Sequence, residues 1–395
     1  MENRFDPNQF VRTEIQEIRD VVKEGKVLLC CSGGVCSNVM ATLFRKTAEQ
    51  PNVTSVLIDT GFLREKEVET VSEMLSRAPM KLNLQVVDAR RKFMKAVEQS
   101  ETGIEKRKAF CEVFYATLSE LAEREQAEFV ALGTSATPKA STSQIPQLSS
   151  INKPRSDSVK RFEPLASLDR CQVKQVAEAL DLPPRLSDLV PFPSMGLLIR
   201  AIGRISDEKI RTAREATSVV EDELQHIRPS QYFAAVLDNK DDNYEKIDKV
   251  REKVSDLFDV APSQVDIVIP QSRVSALVDK TRVYLRASAA RVTLLGSKET
   301  LEPDYDDLSN FPIEFNEKYK DFARCLYSVT RKPKNGKYIV VVRAVSTEDF
   351  SKAIIAKLEW SKLYSIAERI MDECSKVASV YYDVTPKPPA TIELE

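Results

Sequence analysis

The stretch Ser32-Gly33-Gly34-Val35-Cys36-Ser37 holds the residue types and spacing best suited to chemistry. It lies between an apolar strand candidate, Lys26 to Cys31, and a helical pattern with Val39, Met40, Leu43 and Phe44. A strand, a diglycine turn and a helix N-terminus together form an anion site. Glycines let a ligand come close to the backbone, and the unpaired N–H groups and dipole of the helix start favour phosphate. Ser32, Gly33, Gly34, Val35 and Ser37 are therefore candidate phosphate-binding positions, the two serines adding hydroxyl donors. The spacing is not that of a Walker A loop, which ends in a Lys-Ser/Thr pair. The competing reading is an ordinary tight turn.

Cys36 carries two readings. It precedes Val39 and Met40 by one helical turn and so can pack on the inner face of the helix. It can also be a reactive or sulfur-carrying thiol, because helix N-termini favour such chemistry. Cys30 and Cys31 fall within the strand and read as core. The single histidine, His226, sits in a helical stretch and reads as structural. With seven cysteines and no paired CxxC motifs, neither a disulfide framework nor a zinc knuckle is expected. No Cys-His-Glu glutaminase arrangement is apparent. If the protein uses ammonia from glutamine, another chain must supply it.

The elements that position the loop follow from periodicity. A leading amphipathic helix spans Asn8 to Val22. Strands Val53–Asp59, Leu84–Val87 and Phe129–Leu132 then alternate with helices, including Arg64–Ser76. Such alternation implies parallel β with crossover helices, whose ligands bind beyond the carboxyl ends of the strands. A polar stretch from Thr134 to about Lys160 reads as a lid or as disorder. Prolines at 183–184 and 191–193 mark a domain boundary. Further expected elements are a helix from Asp207 to about Gln225 and strand Phe233–Leu237. Strand Tyr338–Val345, helix Ser361–Lys376 and strand Ser379–Val384 close the pattern. The expected fold class is α/β, a parallel-sheet nucleotide-binding domain over 1–190 followed by a smaller α+β domain over 191–395. The segment 241–323 is read as extra.

At 395 residues the chain can hold two or three domains. Its 58 basic and 60 acidic residues give a net charge of −2, which offers no general case for nucleic-acid or membrane binding. No apolar run has the length of a membrane span and the N-terminus has no apolar signal core, so a cytoplasmic location is expected.

In this order, the motifs resemble GMP synthase, specifically its N-type (PP-loop) ATP-pyrophosphatase part with the C-terminal dimerisation domain, in the archaeal arrangement where this half is a separate subunit. Ser32 to Ser37 resembles the pyrophosphate loop SGGxDS. The segment Ile58 to Arg64, with Asp59 and Gly61, resembles the part that holds adenosine. Glu105-Lys106-Arg107-Lys108 and Glu163-Pro164-Leu165 match further segments. Pro191-Phe192-Pro193 and Arg200 match the ends of a PFPGPGLxxR stretch. Val342 to Val345 and Asp383 to Glu393 match the end of the dimerisation domain. The tail Lys387-Pro388-Pro389-Ala390-Thr391-Ile392-Glu393 is the most specific match. The resemblance implies that Arg200, Lys387, Thr391, Ile392 and Glu393 serve the XMP site, the tail reaching its phosphate. It implies ATP and Mg²⁺ as reactants, adenylation of XMP, and amination to GMP. The implied partners are a second copy of the chain and a separate glutamine amidotransferase subunit.

Departures from the pattern sit where that chemistry belongs. Cys36 replaces the carboxylate expected to help hold Mg²⁺, a hard ion that prefers oxygen. The lid lacks the family's Lys-Ser-His-His and Gly-Gly, offering Lys139, Lys153 and Arg155, and Lys139 follows Thr137-Pro138 where an Asp is expected. Pro193-Ser194-Met195-Gly196 replaces Pro-Gly-Pro-Gly, and Arg170-Cys171 replaces an acidic pair. Together they point to an impaired or inactive relative that binds or senses purine nucleotides, with no metal ligand assigned. The alternatives are a working GMP synthase subunit fed with ammonia by a separate glutaminase, and a PP-loop ligase or thiolation enzyme using Cys36.

Overall fold

The structure is a computed structural model that describes residues 5–47, 52–136, 159–279, 281–348 and 350–395. The chain divides into two compact units. The first holds residues 1–97 and 107–194, the second 98–106 and 195–395. That the short stretch 98–106 belongs with the second unit is signalled by no pattern in the sequence.

The first unit begins with helix α1 (Pro7–Glu24), started by the Asp6 carboxylate, which accepts from the N–H groups of Asn8 and Gln9. Strand β1 (Val27–Cys30) and helix α2 (Val35–Lys46) flank the diglycine loop. Then come β2 (Val53–Asp59), α3 (Glu67–Ser76), β3 (Leu84–Asp88), α4 (Arg90–Val97) and α5 (Gly103–Glu125). The division between units runs through the first turn of α5. Strands β4 (Phe129–Ala131) and β5 (Lys160–Phe162) and helices α6 (Arg170–Ala179) and α7 (Pro184–Ser187) complete the unit. Helix α3 starts three residues later than its apolar pattern suggests. Lys66 adopts a left-handed conformation (φ 53°), and the Glu67 carboxylate accepts from the Arg64 N–H.

The five strands are all parallel, in the order β3-β2-β1-β4-β5. Leu29 lies opposite Ser55 on one side and Ala131 on the other. The chain runs outward from β1 to β3, then returns to place β4 on the other side of β1. The sheet's switch point therefore falls between β1 and β4, where open parallel sheets bind ligands. Apolar side chains of the central strands and facing helices, among them Leu29, Leu57, Ala131, Val39, Leu43 and Phe44, form the core. The nearly continuous apolar run of β1 reflects burial on both faces.

The second unit contains α8 (Asp207–Leu224), β6 (Gln231–Asp238), α9 (Ile247–Leu257), β7 (Val265–Val268), β8 (Val274–Val278) and β9 (Thr281–Val292). It continues with α10 (Tyr305–Lys318), β10 (Phe322–Ser328), β11 (Tyr338–Ser346), β12 (Ile354–Ile355), α11 (Trp360–Glu373) and β13 (Val377–Asp383). Its strands form one mixed sheet of eight, following β12-β11-β13-β10-β9-β7, with β6 beside β11 and β8 beside β9. The segment 241–323 supplies β7, β8 and β9 to this sheet. Helices α8 and α11 pack on β6 and β13.

Candidate nucleotide site

The loop is built by constraints on its two glycines. Gly33 has φ +78°, and a Cβ there would lie 2.4 Å from Cγ2 of Val71 in α3. Only glycine meets both conditions without strain. Gly34 is the N-cap of α2, with no side chain capping the helix, so the first-turn N–H groups have no side-chain acceptor there. Ser32 Oγ accepts from Gly34 N–H at 3.5 Å, and Ser37 Oγ donates to the Gly34 carbonyl at 3.0 Å. Ser32, Gly33, Gly34, Val35 and Ser37 thus lie together at the carboxyl end of β1.

The neighbouring strand ends converge on the same edge of the sheet. At the end of β2, the Asp59 carboxylate accepts from Gly61 N–H at 2.9 Å and lies 3.5 Å from Arg90 Nε. Gly61 itself has φ +81°. Arg90 also pairs with Asp88 at 2.6 Å, and that bond holds the Asp88 carboxyl at about 2. Beyond β4, Gly133 touches the start of α2: a Cβ at 133 would sit 2.7 Å from the backbone N of Ser37. Ser135 then reaches Cys36, with Sγ to Oγ at 3.6 Å. Thr134 Oγ donates to Glu163 at 2.6 Å, tying the end of β4 to the segment after β5. Arg64 lies 4.1 Å over the Phe192 ring and pairs with Glu67.

Cys36 is half-buried and packs against the core of the unit, while Ser135 holds its thiol. Burial pushes the Cys31 thiol up to about 12 and likewise raises Cys30, as expected of core cysteines. The first turn of α2 contains no acidic residue. A thiol is a poor ligand for Mg²⁺, which takes oxygen ligands in strict octahedral geometry. Cys36 itself does not fit the metal.

In the second unit Arg200 meets Glu393, whereas the Lys387 side chain is engaged elsewhere. Arg200, almost fully buried, pairs with Glu393 through two contacts at 3.1 and 3.2 Å and stacks 4.3 Å from the Phe233 ring. Gln231 also donates to the Glu393 carboxylate, at 3.1 Å. Arg324 donates to the Thr391 carbonyl and hydroxyl at 2.9 and 3.0 Å, and Arg343 to the Ile392 carbonyl at 3.0 Å. Lys387 donates from Nζ to the Phe350 carbonyl, and its main chain pairs with Ala353. The two clamping arginines share Asp383, at 2.5 Å from Arg324 and 2.8 Å from Arg343, all three without solvent exposure. Burial alone would raise the Asp383 carboxyl, but Arg343 and Arg324 outweigh it and hold it below the ordinary value.

Lys106 is also fully buried, although its run of charges reads as a solvated helix face. It pairs with Glu395 at 2.5 Å and donates to the Ala201 carbonyl at 2.6 Å. Arg324, Asn38 and Gly133 escape sequence reasoning altogether. Asn38 and Gly133 look like ordinary helix and loop residues, and Arg324 interrupts a strand that is otherwise mostly apolar. The positions Thr137 and Pro138 and the lid cations Lys139, Lys153 and Arg155 lie outside the described residues. Among the described residues no helix is long and apolar enough to cross a membrane.

Comparison with known proteins agrees with this layout. Residues 26–186 match the family described as phosphoadenosine phosphosulfate reductase domain, and residues 328–394 match GMP synthase C terminal domain. A subunit of glutamine-hydrolyzing GMP synthase from Sulfurisphaera tokodaii is 33% identical over 399 residues, covering 99% of this chain and 100% of the relative. The proteins of the same name from Saccharolobus solfataricus and Archaeoglobus fulgidus are 31% and 29% identical, each covering 99% of this chain and 100% of the relative. Among solved structures, NMN synthetase from Francisella tularensis aligns with a TM-score of 0.39 and 18% identity, covering 49% of this chain and 78% of that one. By its full-length similarity to these archaeal proteins, the chain belongs to the family of GMP synthase subunits that carry a PP-loop ATP-pyrophosphatase domain.

Proposed function

We propose that this chain is a member of the family that binds a purine nucleotide at the β1–α2 loop and has lost most of its capacity to make GMP. The observation that carries the reading is Cys36 in the first turn of α2, with no acidic residue beside it. In the family reaction, charge builds on the departing pyrophosphate. Loop donors and a metal ion share its stabilisation. The diglycine, the α2 N-terminus and the exposed Ser32 support the first contribution, while the buried Ser37 hydroxyl donates to the Gly34 carbonyl and braces the loop. The donor set at Cys36 is wrong for the second. A site in that condition binds nucleotide and turns it over poorly, which suits a sensor or scaffold in purine metabolism.

The second unit supports retention of the XMP site. Thr391 and Ile392 stand in a tail clamped by Arg324 and Arg343, Glu393 pairs with Arg200, and Lys387 lies upstream in the same tail. The chain acts as a cytoplasmic homodimer joined through this unit, and a separate glutamine amidotransferase subunit is its expected partner. The full-length match to GMP synthase relatives favours a second reading, a working synthetase in which other groups hold Mg²⁺. Titrating ATP and XMP by calorimetry, alongside a GMP-formation assay with ammonium salt, separates the two. Micromolar binding without GMP supports our reading, GMP formation supports the second, and absence of nucleotide binding contradicts both.

A further inference from the structure

The geometry points to Asn38 as the positioning residue of the diglycine loop, an inference that rests on the reading of that loop as a pyrophosphate site. Asn38 lies one turn into α2 and is fully buried. Its Nδ2 donates to two carbonyls, Gly33 in the loop and Leu186 in α7, each at 3.0 Å. Both acceptors are carbonyl oxygens, so the amide orientation is settled: a flipped side chain would set oxygen against oxygen twice.

The contact to Gly33 has a defined consequence. The peptide joining Gly33 to Gly34 is planar and trans, so its C=O and N–H point in opposite directions. Pinning the Gly33 carbonyl toward Asn38 therefore turns the Gly34 N–H the other way. A diglycine peptide flips readily because neither residue has a Cβ. A flipped peptide would present a carbonyl oxygen where an anion needs a donor. Asn38 holds the donor face toward the exposed Ser32 side, where the N–H now makes only a long 3.5 Å contact with the Ser32 hydroxyl that an anion would replace, and Leu186 in α7 anchors the other side of the same amide.

The side chain carries a cost that a purely structural residue would avoid. Its Oδ1 is buried with no hydrogen-bond partner. An unsatisfied buried acceptor is destabilising, and an apolar residue of like size would remove it. What the asparagine supplies in return is the forked donor that fixes the loop.

The test is titration of inorganic pyrophosphate into the full chain and its variants by calorimetry, with thermal unfolding recorded for each. Asn38→Ala is expected to weaken pyrophosphate binding about 10- to 100-fold. Asn38→Leu, which keeps volume without a donor, carries the same expectation and replaces Asn38→Ala if that variant fails to fold. Leu43→Val, a core change in the same helix remote from the loop, is expected to lower the unfolding midpoint and leave affinity unchanged. Wild-type affinity in the Asn38 variants, or an equal loss in Leu43→Val, overturns the proposal. A wild-type chain that binds no pyrophosphate overturns the reading of the loop and the proposal with it.

Discussion

The thiol of Cys36 lies 3.6 Å from the hydroxyl of Ser135, joining the first turn of α2 to the segment that follows β4. This contact spans the switch point of the parallel sheet, where the sheet topology places a ligand. A carboxylate at 36 would present two hard oxygens at the same place. The present pair offers one soft sulfur and one neutral hydroxyl. The character of the site turns on this difference.

Restoring the carboxylate is the first prediction. Loss of one metal-linked carboxylate costs roughly 100- to 1000-fold in rate, so Cys36→Asp is expected to raise pyrophosphate release from ATP by up to about that factor. The check is release in the presence of XMP, wild type against variant. No gain would mean that the altered 193–196 stretch also blocks the reaction.

Gly133 admits no side chain. Its Cβ would fall 2.7 Å from both the N and Cα of Ser37, and backbone cannot move aside as a flexible side chain can. Gly133→Ala is expected to destabilise the fold by about 1–3 kcal/mol and to weaken ATP binding by displacing the post-β4 segment from α2. Chemical denaturation and ATP titration measure the two effects.

Glu14 gives a pH dependence. It is nine-tenths buried in α1, and burial, with Glu17 nearby, raises its carboxyl to about 7. A folded-state value above the unfolded one means that the native state binds the extra proton. Stability from this group is present below about pH 4.5 and is lost as pH rises to about 7. Glu14→Gln is expected to be more stable than wild type at pH 8, by on the order of 2 kcal/mol, with the advantage vanishing near pH 4.5. Urea denaturation at a series of pH values reads this directly.

Asp383 neutralises two buried guanidiniums at once. Asp383→Ala leaves Arg324 and Arg343 without their shared carboxylate and is expected to cost about 3–5 kcal/mol. Because those arginines also hold the tail carbonyls, the tail 384–395 is expected to gain amide hydrogen exchange ahead of β11. Exchange measured by mass spectrometry distinguishes this from uniform loosening of the unit.

The first unit is largely legible in the sequence because its signals are local. An apolar strand, two glycines and a helical repeat adjoin one another around Ser32, and the apolar run of β2 ends where the strand does, at Val53 and Asp59. The start of α3 is not legible, since a left-handed Lys66 overrides an apolar pattern that continues upstream. In the second unit, β8 is five residues with little alternation, and its pairing with β9 depends on tertiary contacts rather than on a strong local pattern. Lys106 illustrates a deeper limit. Nothing in Glu105-Lys106-Arg107-Lys108 marks one cation as buried, because its partner, Glu395, is 289 positions away. Likewise, the prolines of the tail suggest a rigid segment facing ligand, and its fixation by Arg324 and Arg343 emerges only when the sheet brings β10 and β11 beneath it.

The most direct test of the account is pyrophosphate release from ATP and Mg²⁺ with XMP and a high concentration of ammonium salt, which removes the need for a glutaminase partner. The expected result is ATP binding with XMP-dependent release at or near background. Release that depends on XMP and yields GMP at a rate typical of enzymes, about 1 per second or faster, would contradict it.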